Sequence, residues 1–517
     1  MKKIQLILLL ILISITTYSW FLDGYYQPID PDTFGEMNDA GLDMKFPEML
    51  TAHTNYHSKW FAKALPYVSF TTVGTIYNAI TGNKAESLFV TQGFMTALTY
   101  VMFIFISAYY ISLCASPLSS GFILSYLFVA AFILLGGNIV FHSDAFVFRF
   151  YHISVMGNYM WTFNVLMLAF LPYWRYFITL KWSDWHDREN PFLKTLWLLS
   201  IIFCAFSSSC STVVALYLSC FIIMLLAINN FYQNKSASGI IQRSVDAVLK
   251  IKHEMYYGLY VLIVLCIISL VSEKTGLSGQ ESKTYFTGSN FMRHFVDYCY
   301  IWKEFLFTKS YLLAYGVVIL LTISIGIYLW RLRNSQNKSI LVKLVLIALF
   351  LMFTSVTYSF VIGTQQLPYR FRGTNLGGDT LLYFSWSLMF IILSFTVYFL
   401  VNTRFKILAP ILIFVAISHI VPSFSNHPYY AAQRKEMNGF NMVYNLDKIN
   451  TNDTILIPKS YDDALNMWGN GAARLTYFAA KTKLTKTERK FVIVDDNVFF
   501  EYYNPYFPQL EDIVVKY

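Results

Sequence analysis

Charge is what this sequence has least of. Lys, Arg, Asp and Glu make up 13% of its 517 residues, against roughly 25% in an ordinary soluble domain. That scarcity argues against a soluble globular chain. Cysteine is also scarce, with six in all. Cys114, Cys204, Cys210, Cys220 and Cys266 fall within or at the ends of apolar runs, and only Cys299 sits in a long polar stretch. This distribution offers neither a disulfide framework nor a Cys/His metal spacing. Internal repeats and low-complexity tracts are missing too. Their absence argues against the repeat-built membrane transporters.

Apolar residues are abundant. They make up 56% of the chain, and aromatics alone reach 18%, with 38 Tyr and 46 Phe. They fall in blocks of roughly 18 or more, the length needed to cross a hydrocarbon core of about 30 Å. Backbone polar groups in lipid must be satisfied within the segment, so such blocks are helices. The pattern predicts spans at 4–22, 87–114, 119–141, 159–180, 195–209, 211–231, 256–272, 310–330, 340–361, 381–401 and 405–421. The first follows Met1-Lys2-Lys3 and has no small-residue cleavage site after it, so it reads as an uncleaved helix. The stretch 61–81 holds Lys63, Pro66 and several Ser and Thr, and reads as a helix lying at the membrane interface.

A net charge of +9 invites a nucleic-acid reading, but the basic residues lie mostly in short loops between apolar blocks. On the N-terminal side are Lys2 and Lys3. Loops assigned to the same face carry Arg175, Lys181, Arg188 and Lys194, then Lys235, Arg243, Lys250 and Lys252, then Arg331, Arg333, Lys338 and Lys343, and last Arg404 and Lys406. The positive-inside rule makes this face cytoplasmic. If 61–81 crossed as well, every later loop would change sides and the bias would reverse. The outer face then receives loops 23–60, 142–158, 273–309 and 362–380, together with the tail. The expected fold is an all-α polytopic domain over 1–421, with about eleven transmembrane helices. A small outer α/β domain over 422–517 follows, built on the apolar runs Thr454 to Ile457 and Phe491 to Val494 and a helix from Ala472 to Ala480.

Four constellations in the outer loops could carry chemistry. Loop 23–60 holds seven acidic and two basic residues, with three carboxylates in Asp30-Pro31-Asp32-Thr33-Phe34-Gly35-Glu36. A carboxylate there could take a proton from an acceptor hydroxyl, and a pair could hold a divalent cation. The alternative is a solvated acidic loop with an ordinary helix cap. Just beyond come His53, His57, Lys59 and Trp60. Basic groups beside aromatic ones suit an anionic head group or a sugar face, or simply anchor the chain at the interface. Arg149, in Phe146-Val-Phe-Arg-Phe-Tyr-His152, is costly near membrane depth unless paired, with a phosphate or with Asp144. Arg370 and Arg372, before Gly377-Gly378-Asp379, could clamp a phosphate or snorkel to the interface. The Asn-x-Ser/Thr matches at Asn234 and Asn337 fall on the cytoplasmic face and carry no signal.

An uncleaved first helix, an acidic outer loop, an interfacial helix, some ten further spans and an outer terminal domain together resemble the C-type (GT-C) membrane glycosyltransferases. Tyr56-His57-Ser58-Lys59-Trp60-Phe61 looks like the Gly-Arg-aromatic segment that follows the acidic motif in bacterial O-antigen glucosyltransferases and their relatives. Ser154-Val-Met-Gly-Asn158-Tyr159-Met-Trp161 is similar to their Asn-Tyr-x-Trp start of a span. Lys59 stands where those enzymes have Arg, and the first loop has no adjacent Asp-Asp or Asp-Glu pair. The resemblance implies transfer of a sugar, such as glucose, from a polyprenyl-phosphate donor to a cell-surface glycan such as O-antigen, on the outer face of a bacterial inner membrane. It also implies work beside a donor synthase and a flippase. Asp30, Asp32 and Glu36 would be the catalytic carboxylates. Arg149, Arg370 and Arg372 would bind the donor phosphate, and His53, His57, Lys59, Trp60, Asn158, Tyr159 and Trp161 the substrate. The rival classes are a transporter or flippase of lipid-linked glycans and an O-antigen polymerase.

Overall fold

The computed structural model of the chain describes residues 3–29, 33, 60–115, 119–135, 153–179, 191–207, 209–233, 239–249, 251, 253–275, 378–402, 408–423, 430–450, 452–465 and 471–505, with a few single positions between 296 and 320. Helix α1 (Lys3–Tyr25) begins the bundle. Its 23 residues, at about 1.5 Å each, reach about 35 Å. Ile4, Ile7, Leu8, Ile11 and Ile15 are exposed, whereas Thr16, Ser19 and Trp20 are buried. Apolar outside and small polar inside is the arrangement of a helix that faces lipid and packs on other helices.

Next come α2 (Trp60–Thr81) and α3 (Lys84–Ala115), joined by a tight turn. Gly82 ends α2 with φ +72°, a left-handed conformation that glycine adopts without strain. Asn83 starts α3: its Oδ1 accepts the Glu86 N–H at 3.1 Å, and its Nδ2 donates to Glu86 Oε2 at 2.9 Å. The first bond satisfies a backbone donor that a helix start leaves open, and the second holds the two side chains together. The pair begins α3 three residues before the expected 87.

Helices α4 (Ser119–Leu135), α5 (Ile153–Met156) and α6 (Thr162–Thr179) follow, with a π-helical turn at Gly157–Trp161 between the last two. The expected loop 142–158 is therefore helical from 153 on, because Ile153 and Met156 are buried one turn apart. Then come α7 (Pro191–Ala205), α8 (Ser209–Gln233), α9 (Ile240–Leu249), α10 (His253–Thr275), α11 (Gly378–Asn402) and α12 (Ala409–Ser423). Cys299, expected in a polar loop, is also helical. The expected spans 310–330 and 340–361 lie outside the described residues, apart from Gly316 and Leu320, which are helical.

Side-chain pairs fix the helix directions. Trp20 stacks on Tyr100 at 3.7 Å. A Cβ on Gly24 would meet Thr96, and one on Gly93 would meet the Phe21 carbonyl at 2.8 Å. So α1 and α3 run antiparallel in close contact. Phe103 meets Phe163, and Tyr110 meets Trp174, so α6 runs parallel to α3. Phe163 meets Tyr383 and Trp174 meets Phe390, so α11 runs the same way. Trp197 donates to the Ala169 carbonyl at 2.9 Å, while Phe203 reaches the Trp161 level through Phe61, so α7 returns antiparallel to α6. Buried Ser and Thr line these contacts and bond back to carbonyls of their own helices, as Thr91, Thr99 and Ser125 do.

Three helices among the described residues, Lys3–Tyr25, Lys84–Cys114 and Ser211–Ile228, are long and apolar enough to cross a membrane. Four shorter apolar ones, Gly121–Leu134, Pro191–Ala205, Met255–Val271 and Ser385–Val401, accompany them. The chain is a membrane protein of mostly helical build.

The tail adds α13 (Tyr430–Ile449), β1 (Thr454–Pro458), α14 (Gly471–Lys481), β2 (Lys490–Val494) and α15 (Asp496–Tyr503). The strands pair in parallel, Thr454 against Lys490 through Pro458 against Val494. A parallel pair needs a crossover, and α14 lies in that connection. Asp447 accepts from Arg489 Nε at 2.8 Å and from the Lys486 N–H at 2.9 Å, pairing a carboxylate that is almost fully buried.

Candidate functional site

The end of the bundle reached by Tyr25 holds the described residues that lead into the acidic segment. Tyr25 Oη donates to Glu86 Oε1 at 3.4 Å, so the end of α1 and the start of α3 lie together. Helix α2 leads into α3 there through the turn at Gly82. It stands along the first half of α3, with Gly74 against Thr91. Near the hairpin turn, burial and then the Glu86 carboxylate push the Tyr77 phenol above its usual pKa.

The exit of α1 is held by Gln92. Its Nε2 donates to the carbonyls of Gly24 at 3.0 Å and Gln27 at 2.8 Å, which answers acceptors that a helix end leaves unpaired. Two residues past Gln27, the buried Ile29 donates its N–H to Glu436 Oε2 of α13 at 2.8 Å. Tyr26 packs on Tyr430 at 5.4 Å between ring centres. Phe440 meets both Phe89 of α3 and Phe478 of α14, and Phe478 meets Phe70 of α2. The βαβ tail thus docks on the α2–α3 hairpin and grips the chain just ahead of Asp30. Thr33, past the two aspartates, is helical and fully buried.

A second cluster lies at the foot of α2. Phe61 stacks on Phe203 at 4.4 Å and on Trp161 at 6.2 Å, and its N–H donates to the Phe206 carbonyl at 2.9 Å. The two segments singled out by sequence, Tyr56–Phe61 and Asn158–Trp161, are brought together here through Phe61 and Trp161. Trp161 lies in the π-turn, whose widened backbone is a frequent feature of functional sites. Among the described residues its buried Nε1 has no hydrogen-bond partner, and neither have Thr33 Oγ1 and Gln92 Oε1. Tyr159 is half-buried in the same turn.

Asp30, Asp32, Glu36, His53, His57, Lys59, Arg149, Arg370 and Arg372 lie outside the described residues. Trp60 and Asn158 lie in described helical turns, but their side chains do not belong to the described part. Among the described residues, no group of three or more His, Cys, Asp or Glu could hold a metal ion. Sequence reasoning missed Glu436 and Gln92. Glu436 carries no motif, and its partner lies 407 residues away. Gln92, a polar residue inside an apolar span, was the available signal for the second.

No protein-family model, curated protein or solved structure matches this chain.

Proposed function

We propose that the chain is a multi-pass glycosyltransferase with about eleven spans, its N-terminus cytoplasmic and its tail outside. It takes a sugar from a polyprenyl-phosphate donor and transfers it to a surface glycan such as O-antigen. The observation that carries the reading is the grip of Glu436 on Ile29, immediately ahead of Asp30. A loop that only solvates a membrane exit needs no buried carboxylate from the far end of the chain. A loop that must present a base does, because a misplaced reacting group loses the advantage of orientation.

In this reading Asp32 or Asp30 takes the proton of the acceptor hydroxyl. The hydroxyl oxygen forms a bond to the anomeric carbon as the bond to the donor phosphate breaks, and the configuration inverts. The polyprenyl phosphate leaves with the electron pair, and Arg149, Arg370 or Arg372 neutralises it. If a divalent cation takes part, Asp30 and Asp32 are the carboxylates that would hold it. The Trp161 indole N–H, which has no partner among the described residues, is a donor for a sugar hydroxyl, and Phe61 and Trp161 offer aromatic faces to the sugar or the lipid chain. The transporter reading has less support. Among the described residues the buried charged side chains are Lys84, Glu436 and Asp447, at the outer end or in the tail, whereas ion-coupled transporters place such groups inside their spans.

Mass spectrometry and linkage analysis of the surface glycan, with and without this chain, test the proposal. The expected result is loss of one specific sugar branch. An unchanged glycan on a fully exported polymer would contradict it.

A further inference from the structure

Helix α9 does not belong to the bundle's vertical set. It is ten residues long and sits between α8 and α10, at the end of the bundle opposite Tyr25. Two contacts clamp it to the end of α8. Asn230 Nδ2 donates to the Ala247 carbonyl at 3.0 Å. Arg243 donates from Nε to the Phe231 carbonyl at 2.8 Å and lies over the Phe231 ring at 4.3 Å. Ala247 is buried on that side. The apolar side chains of the helix are otherwise bare, with Ile241 82% exposed, Leu249 73% and Val245 52%. At 100° per residue, Ile241, Val245, Val248 and Leu249 form one continuous face, and Gln242, Arg243 and Asp246 another.

Two observations say what covers the apolar face. It continues the lipid-facing belt of α8, where Met224 and Ile228 are exposed a turn or two before Phe231. The segment 234–252 also carries Lys235, Arg243, Lys250 and Lys252 against Asp246 as its single acid. An amphipathic helix of this kind, with basic flanks, lies in the plane of the interface, and its charge selects anionic head groups. We infer that α9 is an anionic-lipid docking element, with its apolar face in the acyl boundary of the leaflet on the N-terminal side. This inference does not depend on the transfer reaction.

The test uses the full chain in lipid nanodiscs, which leave both membrane faces open to solvent. A fluorescent amino acid replaces Ile241, or in a second variant Val245, and Gln242 in a control. The expected result is quenching of the first two by brominated acyl chains and protection from aqueous iodide, with the reverse at 242. Brominated phosphatidylglycerol should quench at 241 at least roughly fivefold better than brominated phosphatidylcholine, the ratio that one basic side chain near the surface supplies. Lys250→Gln,Lys252→Gln should bring that ratio towards one while the probe stays in lipid. Iodide quenching at 241 and 245 equal to that at 242 would overturn the inference. So would equal quenching by the two lipids. Protection from both iodide and brominated lipid would mean that protein covers the face, and would overturn it too.

Discussion

Replacing Glu436 by Ala should release the chain just ahead of the acidic segment. Glu436 is 1% exposed and accepts the Ile29 N–H at 2.8 Å. Hydrogen bonds to a charged group contribute about 1.5–3 kcal/mol. Removing the acceptor also leaves a buried N–H without that partner. At about 1.4 kcal/mol per factor of ten, local opening at Ile29 should rise about 10- to 140-fold. The neighbouring Tyr26–Tyr430 contact survives the change and holds the effect toward the lower figure. Glu436→Gln keeps an acceptor oxygen without the charge and should fall between the two. Hydrogen exchange of the full chain in nanodiscs, followed on peptides covering 26–29, reads the effect directly. Protection around Phe440 and Phe478 must stay unchanged, which shows that the tail remains docked. Unaltered exchange at Ile29 in Glu436→Ala, with the tail docked, would refute the grip and remove the main support for a presented base.

Gly93→Ala should lower thermal stability in detergent by about 1–3 kcal/mol, because the new Cβ would lie 2.8 Å from the Phe21 carbonyl and backbone cannot yield as a side-chain tip can; an unchanged melting temperature would mean that α1 and α3 do not approach so closely. A reporter active only in the cytoplasm, fused after Tyr517, should stay silent, since α13 shares its face with the end of α1; activity there would reverse the orientation given by the basic loops. Arg370→Lys should lower turnover more than donor binding, because an ammonium cannot reproduce the planar bidentate contact made as the phosphate leaves; wild-type turnover would remove Arg370 from the site.

The sequence makes the bundle legible because lipid imposes a simple rule, an apolar block for each crossing. Helices α1, α8, α10 and α11 begin and end within three residues of the expected spans, and β1 and β2 lie on the two apolar runs of the tail. The interfacial reading of 61–81 came from its Lys63, Pro66, Ser and Thr together with the loop charges. Helix starts set by local chemistry were missed: the expected start at 87 followed the apolar run, whereas Gly82 and the Asn83–Glu86 pair start α3 at Lys84. Long-range pairings were not readable. Neither periodicity nor spacing ties Ile29 to Glu436, or Phe61 to Trp161 and Phe203, because each pairing depends on where separate helices meet. The helical turn at Ile153 was hidden because four residues are too few for a period to show.

The most direct test of the account is the reaction itself. The purified chain, supplied with a polyprenyl-phosphate sugar and an acceptor glycan, should transfer the sugar with inversion. Asp32→Asn should abolish transfer while folding and donor binding stay intact, because an amide of equal size cannot accept the proton. Asp30→Asn should behave likewise if the two carboxylates act together, and Glu36→Gln should matter least. Full activity in all three single variants would contradict the account: the acidic segment would be a solvated linker, and the transporter reading would take its place.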